Sequence, residues 1–214
     1  MGRHPAAPMA AKAPSIVFVA GQDFAMRLVW KIFAVLVVGT ALGLLAVWLA
    51  VFRGSSEMVS NGPWKADPTA GSAQSDAYRR ALVAVHGLFA LTRNEAAYYT
   101  AATDSDGQAL DGGCRYEIMG HALDARWWSI TAYGADDYLI ANPAHRYSVT
   151  GTTVTRDANG SFVMQVGGTA GGDSWIPVGS GRFSLTLRLY NPGPAILFDP
   201  THVVLPALKR ASCP

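Results

Sequence analysis

Apolar and polar side chains alternate through the second half of the chain. Within residues 126–133, Trp128, Ile130 and Ala132 share one face, and Trp127, Ser129, Thr131 and Tyr133 share the other. That period of two is the pattern of a strand. Two adjacent tryptophans on opposite faces suggest a strand covered on both sides, or one lining a groove. A polar turn, a short second strand and an Asn142-Pro143 corner follow. Phe183, Leu185, Leu187 and Leu189 alternate with Ser184, Thr186, Arg188 and Tyr190, a half-buried strand that Asn191-Pro192-Gly193-Pro194 breaks. Tyr116 and Ile118 share a face in the same way. Residues 152–156 and 161–166 flank Asp157-Ala158-Asn159-Gly160. This is a hairpin signal in which Asn159 and Gly160 would supply positive φ angles, with Phe162, Met164 and Val166 facing the core. Residues 167–172 read as a flexible loop, and 196–198 and 202–205 as two short final strands. Many short strands separated by turns predict a β-sandwich or jelly roll.

Upstream the pattern changes. Residues 32–52 carry no charge and are almost wholly apolar; at the helical rise they span roughly 31 Å, the thickness of a hydrocarbon core. The run exceeds the roughly 7–15 apolar residues of a secretory signal, and no small-residue cleavage site stands beside Trp48 and Phe52. Residues 27–53 therefore predict an uncleaved transmembrane anchor, with Trp30 and Trp48 near its ends at the interfaces. Lys12, Arg27 and Lys31 precede the run, and Arg53 and Lys65 follow it. This slight bias puts the N-terminus in the cytoplasm and the C-terminal domain in the periplasm, at a bacterial inner membrane. Residues 1–26, rich in Ala and Pro, read as disordered or as a mis-called extension, with Met1, Met9 or Met26 as the true start. Gly39 and Gly43 have the spacing of a helix-dimer motif, which the glycine background of membrane helices also produces. Residues 54–75 read as a linker, and 76–214 as the periplasmic domain. That domain opens with an amphipathic helix N-capped by Ser75 or Asp76, whose apolar stripe is Tyr78, Leu82, Val85 and Phe89. His86 lies beside the stripe, as a structural histidine rather than a ligand.

Composition narrows the function classes. Of 214 residues 50% are hydrophobic and 15% charged, with a net charge of +2. Scattered Lys and Arg form no clustered face for phosphate, which argues against nucleic acid. Cys114 and Cys213 have no neighbours at metal-ligand spacing. They are either two buried thiols or one disulfide, which an oxidising compartment would favour.

The succession Arg-Trp-Trp-Ser-Ile-Thr-Ala-Tyr from Arg126, Asn-Pro-Ala-His-Arg-Tyr-Ser-Val from Asn142, Asp-x-Asn-Gly-Ser from Asp157, Trp-Ile-Pro from Trp175 and Phe-Ser-Leu-Thr-Leu-Arg-Leu-Tyr-Asn-Pro from Phe183 resembles a bacterial family known only as domain of unknown function twelve-fourteen. The likeness runs over about residues 94–206. It implies a mainly β, jelly-roll-like sandwich, here preceded by one amphipathic helix and one N-terminal transmembrane helix. A companion, domain of unknown function twelve-fifty-four, is fused to it in longer relatives, so the resemblance implies a separate polypeptide carrying that domain as partner. Asp173-Ser174-Trp175 departs from the family, many of whose members have Asn directly before the Trp. The family brings no catalytic residues.

No complete catalytic or metal motif emerges. Asp104, Asp106 and Asp111 resemble the opening of a calcium loop, but its closing Glu is missing. Residues 167–172 lack the Gly-Lys-Ser/Thr of a phosphate loop, and Ser180 lacks nucleophile-elbow spacing. His86, His121, His145 and His202 show no paired metal spacing, and no cofactor is implied. The candidate ligand-binding residues are Arg146, Arg188, Tyr190, Trp127, Tyr133 and Trp175. Either the arginines pair ions and cap backbone to fix loop geometry, or an Arg and aromatic groove binds a sugar or anionic ligand. The leading expectation is a non-enzymatic envelope protein that binds a partner protein or an envelope glycan. The alternative, an envelope-acting hydrolase or lyase with a site on the sandwich face, predicts a concave pocket where His145, Arg146, Arg188 or an Asp converge.

Overall fold

The computed structural model describes residues 16–53, 58–69, 71–72, 75–85, 91–168 and 171–214. Two compact units form, Met1–Ala50 and Val51–Pro214. The described part of the first is helical, belonging to α1 (Ile16–Arg53). Its segment Phe24–Ala50 is long and apolar enough to cross a membrane. The helix starts earlier than expected: residues 16–25, read as disordered, are helical. No proline follows Pro14 in this stretch, so nothing stops the turn ladder propagating upstream from the apolar run. Residues 1–15 lie outside the described residues.

The second unit is mainly β. In order it contains β1 (Val59–Asn61), β2 (Trp64–Ala66), α2 (Ala77–Val85), β3 (Ala96–Ala101), β4 (Arg115–Gly120), β5 (Ala125–Gly134), β6 (Ser148–Thr150), β7 (Phe162–Val166), β8 (Trp175–Ile176), β9 (Phe183–Pro192), α3 (Pro194–Phe198) and β10 (Ala207–Ser212). A six-stranded sheet runs β1-β2-β3-β9-β5-β6, and a four-stranded sheet β10-β4-β7-β8. All pairings are antiparallel except β7 with β8. The alternation in β9 places it at the centre of the larger sheet, flanked by β3 and β5.

One core joins the inner faces. Leu185, Leu187 and Leu189 of β9 and Trp128, Ile130 and Ala132 of β5 are buried together with Tyr116 and Ile118 of β4 and Phe162, Met164 and Val166 of β7. Trp128 stacks on Phe162 with ring centroids 5.0 Å apart. The Tyr116 hydroxyl, fully buried, accepts the Asp111 N–H at 2.9 Å, so its polar atom is satisfied. Cys114 and Cys213, 99 residues apart, form a disulfide.

Several elements depart from expectation. The stretch read as linker contributes β1 and β2, and Trp64 is 1% exposed with its indole N–H on the Pro206 carbonyl at 2.7 Å. Three-residue strands are too short to register as periodicity. Residues 152–156 do not make a strand. Thr150 and Thr153 exchange side-chain and backbone hydrogen bonds that close a turn, leaving one bridge between Arg156 and Phe162. The Asp157 carboxylate accepts the N–H groups of Asn159 at 2.9 Å and Ser161 at 2.8 Å; Gly160 alone of the Asn-Gly pair has positive φ, at 77°. Residues 196–198 belong to α3, because Pro194 occupies its first turn, where a missing N–H costs nothing. Residues 202–205 stay irregular because Asp199 gathers Thr201 and His202 into a turn. The final strand, β10, lies further on. In α2, Tyr78 is 54% exposed rather than buried. His86 and Phe89 lie outside the described residues.

Candidate functional site

The outer face of the larger sheet carries most of the expected binding residues. Register fixes them in rows: Trp127 beside Tyr190 and Ala96, Ser129 beside Arg188 and Tyr98, Thr131 beside Thr186 and Thr100, and Tyr133 beside Ser184. Trp127 and Tyr190 contact each other at 5.2 Å between ring centroids. The Arg188 guanidinium lies over the Tyr133 ring, 5.4 Å from its centroid. It donates to the Tyr133 hydroxyl at 2.7 Å and to Thr131 Oγ1 at 3.2 Å. Beneath these large side chains Ser129, Thr131 and Thr186 are buried.

Arg188 differs from Arg146 and Arg210 in its partners. Arg146 pairs with Asp173 at 3.4 Å and Arg210 with Asp104 at 3.1 Å, whereas no carboxylate pairs with Arg188 among the described residues. A guanidinium has five N–H donors, and those used here go to neutral oxygens. The charge and the remaining donors are thus available to an incoming anion, in a frame of aromatic faces suited to stacking. Tyr98 completes the frame. Burial pushes its hydroxyl above the ordinary value, opposed by its bond to the Leu91 N–H. The phenol therefore stays neutral through the physiological range and offers a polar rim.

Arg146 and Trp175 are not part of this arrangement. Asn142 clamps the backbone of Arg146 from both sides, at 3.0 and 3.1 Å, and His145 between them takes a φ of 49°. The guanidinium bonds the Gly172 carbonyl and Asp173, pinning one loop to another. Trp175 belongs to the smaller sheet, its indole N–H on the Gly167 carbonyl at 3.0 Å. The side-chain hydrogen bonds of these two go to loop backbone and to Asp173.

The remaining candidates have partners within the protein. Asp104 accepts the N–H groups of Asp106 and Gln108 with one oxygen and pairs with Arg210 through the other. Its oxygens are thus committed without a cation, and no cluster that could hold a metal occurs among the described residues. His121 meets Ser161 at 2.9 Å, and His202 meets Asp199 at 2.9 Å. Hydrogen bonds from His202 and Thr201 hold the Asp199 carboxyl below its usual range. A cleft near Asp67, Arg93, Tyr98, Tyr99, Ile196 and Pro200 encloses about 20 Å³, room for one water. His145, Arg146 and Arg188 do not line it, so it is not the concave site that the hydrolase reading requires.

Sequence reasoning overlooked Tyr98. Its signal was the Tyr98-Tyr99 doublet, which, like Trp127-Trp128, puts one ring on each face of a strand.

Residues 95–194 match the model of a family described as a protein of unknown function (DUF1214). Among solved structures, the VPA0106 protein of Vibrio parahaemolyticus matches at a TM-score of 0.57 and 22% identity, over 82% of this chain and 44% of that one. An uncharacterised protein of Burkholderia cenocepacia matches at a TM-score of 0.41 and 13% identity, over 80% and 40% of the two chains. The chain thus spans less than half the length of these two structures. The Vibrio likeness shows the fold. No curated protein matches the sequence.

Proposed function

We propose that this chain, whose residues 95–194 match the DUF1214 family model, is a non-enzymatic envelope protein whose sheet face captures an acidic group on a partner protein or an envelope glycan. The observation that carries the reading is Arg188, a half-buried cation framed by Tyr133, Tyr190 and Trp127 with no carboxylate beside it among the described residues. A half-buried guanidinium that bonds neutral oxygens keeps its charge for an anionic ligand. Arg forks carboxylates bidentately, and rings stack on sugar faces.

In this reading α1 is a single-pass signal anchor with its N-terminus in the cytoplasm, and the jelly-roll-like sandwich lies in the periplasm. A helix long and apolar enough to span, together with a disulfide, supports that compartment. A polypeptide carrying the twelve-fifty-four domain is the partner we favour. The Vibrio chain, of which this chain covers 44%, has the shared fold continuous with further polypeptide.

The test is co-purification. The full chain, extracted in mild detergent, should retain the companion-domain protein or an acidic glycan fragment, and Arg188→Lys or Trp127→Ala should lose it. Equal retention by wild type and both variants removes the reading. So does turnover of an envelope glycan that one substitution abolishes.

A further inference from the structure

We propose that the loop after α3, residues 197–205, rests on the surface of the bilayer that α1 crosses, with Phe198 and Val204 seated at headgroup level. The inference depends on α1 being a span and is separate from the role of Arg188. Phe198 is 86% exposed, more than any other large apolar side chain among the described residues, and Val204 is 75% exposed. Local structure holds both outward. Ile196, 1% exposed, already takes the inward face of α3, a five-residue helix, which leaves Phe198 two positions on facing away. Beyond the helix, Asp199, Thr201 and His202 bond one another and fix the turn.

The loop is strapped to the part of the second unit nearest α1 along the chain. The Asn61 side-chain amide donates to the Val203 carbonyl at 2.7 Å and the Pro200 carbonyl at 3.4 Å. Trp64 donates to the carbonyl of Pro206 at 2.7 Å. Both donors sit on β1 and β2. The chain leaves α1 at Arg53 and enters β1 at Val59, a stretch that reaches at most about 20 Å when fully extended. Met58, 44% exposed, lies within it. The hairpin therefore cannot leave the neighbourhood of the membrane surface, and the loop bonded to it carries the most exposed ring. An interfacial site suits these side chains, since aromatic and aliphatic groups partition to the boundary of headgroups and acyl chains. Asp199, the acidic group on the loop, is hydrogen-bonded to Thr201 and His202.

Spin labels at Phe198→Cys and Val204→Cys test the idea, with Val163→Cys on β7 as the control at an exposed site of the smaller sheet. Each full-length variant is reconstituted into vesicles of phosphatidylcholine and phosphatidylglycerol. Collisions with oxygen, which concentrates in lipid, are compared with collisions with a water-soluble nickel chelate. The ratio of oxygen to nickel collisions should be severalfold higher at 198 and 204 than at 163. Labels at 198 and 204 as open to nickel as at 163 overturn the proposal. Labels shielded from both reagents overturn it too, since a protein would then cover the loop. Carbonate extraction of the same vesicles reads the anchor separately. Protein retained in the pellet with water-exposed labels sinks the seating alone, whereas protein stripped from the vesicles sinks the span and this proposal with it.

Discussion

Arg188 lies in the middle of the central strand on the outer face of the larger sheet, where it is half-buried. Its neighbours Thr131, Tyr133 and Tyr98 are neutral hydrogen-bonding groups rather than counter-ions. A lysine there keeps the charge and loses the planar fork. Arg188→Lys should therefore leave thermal unfolding almost unchanged while abolishing capture in detergent pull-downs; a large loss of stability with capture intact would make the residue structural. Tyr99, on the opposite face of β3, is 1% exposed and donates to the Pro200 carbonyl at 3.2 Å. Burial pushes its hydroxyl from 10.0 to about 12, with Arg93 opposing and Asp199 adding. The folded state thus holds this proton more tightly than the unfolded chain does. The associated stability, of order 3 kcal/mol at most, is fully present below about pH 10 and is lost as pH rises toward 12. Denaturant titrations across that window should show the decline, and Tyr99→Phe should flatten it.

At the level of elements, length decided what could be read. β9 and β5 each run for ten residues of alternation, so the two faces of each strand were legible, whereas their pairing and register were not, because alternation within one strand does not name its neighbour. The hairpin of β1 and β2 was not, because three residues per strand give no period, and its stabilising contact, Trp64 to Pro206, spans 142 positions. β10 escaped for another reason: within Ala207–Ser212 only Leu208 is buried, and the rest reads as a polar tail. The place of Arg146 was not legible, because an arginine after an Asn-Pro corner looks the same in sequence whether it pins a loop, as its bonds to Gly172 and Asp173 do here, or meets a ligand. Trp64→Ala offers a check on the hairpin. A linker tryptophan could be removed without effect, whereas one in the core should cost about 3–5 kcal/mol, measured by urea unfolding.

For the molecule as a whole, the Cys114–Cys213 bridge links stability to compartment. It ties the segment entering β4 to the segment leaving β10, two strands that already pair antiparallel. Because the native sheet brings these ends together anyway, the bond acts chiefly on the unfolded chain, by closing a loop of 99 residues. In the chain-entropy picture that closure is worth up to about 4–5 kcal/mol. Cys213→Ser should lower unfolding free energy by an amount approaching this, and wild-type protein treated with reductant should fall to the same value. If reduction destabilises wild type far more than the substitution does, the thiols disturb the core around Cys114 and the loop-closure account fails. The same bond reports where the domain resides. In cells the cysteines should resist alkylation until reductant is added, because cytoplasmic glutathione and thioredoxin would keep them as thiols while an envelope compartment would oxidise them. An alkaline phosphatase joined after Pro214 should be active for the same reason, since its own disulfides form only after export. Alkylation of both cysteines in unreduced cells, together with a silent fusion, would place the sandwich in the cytoplasm and reverse the orientation drawn from Lys12, Arg27 and Lys31.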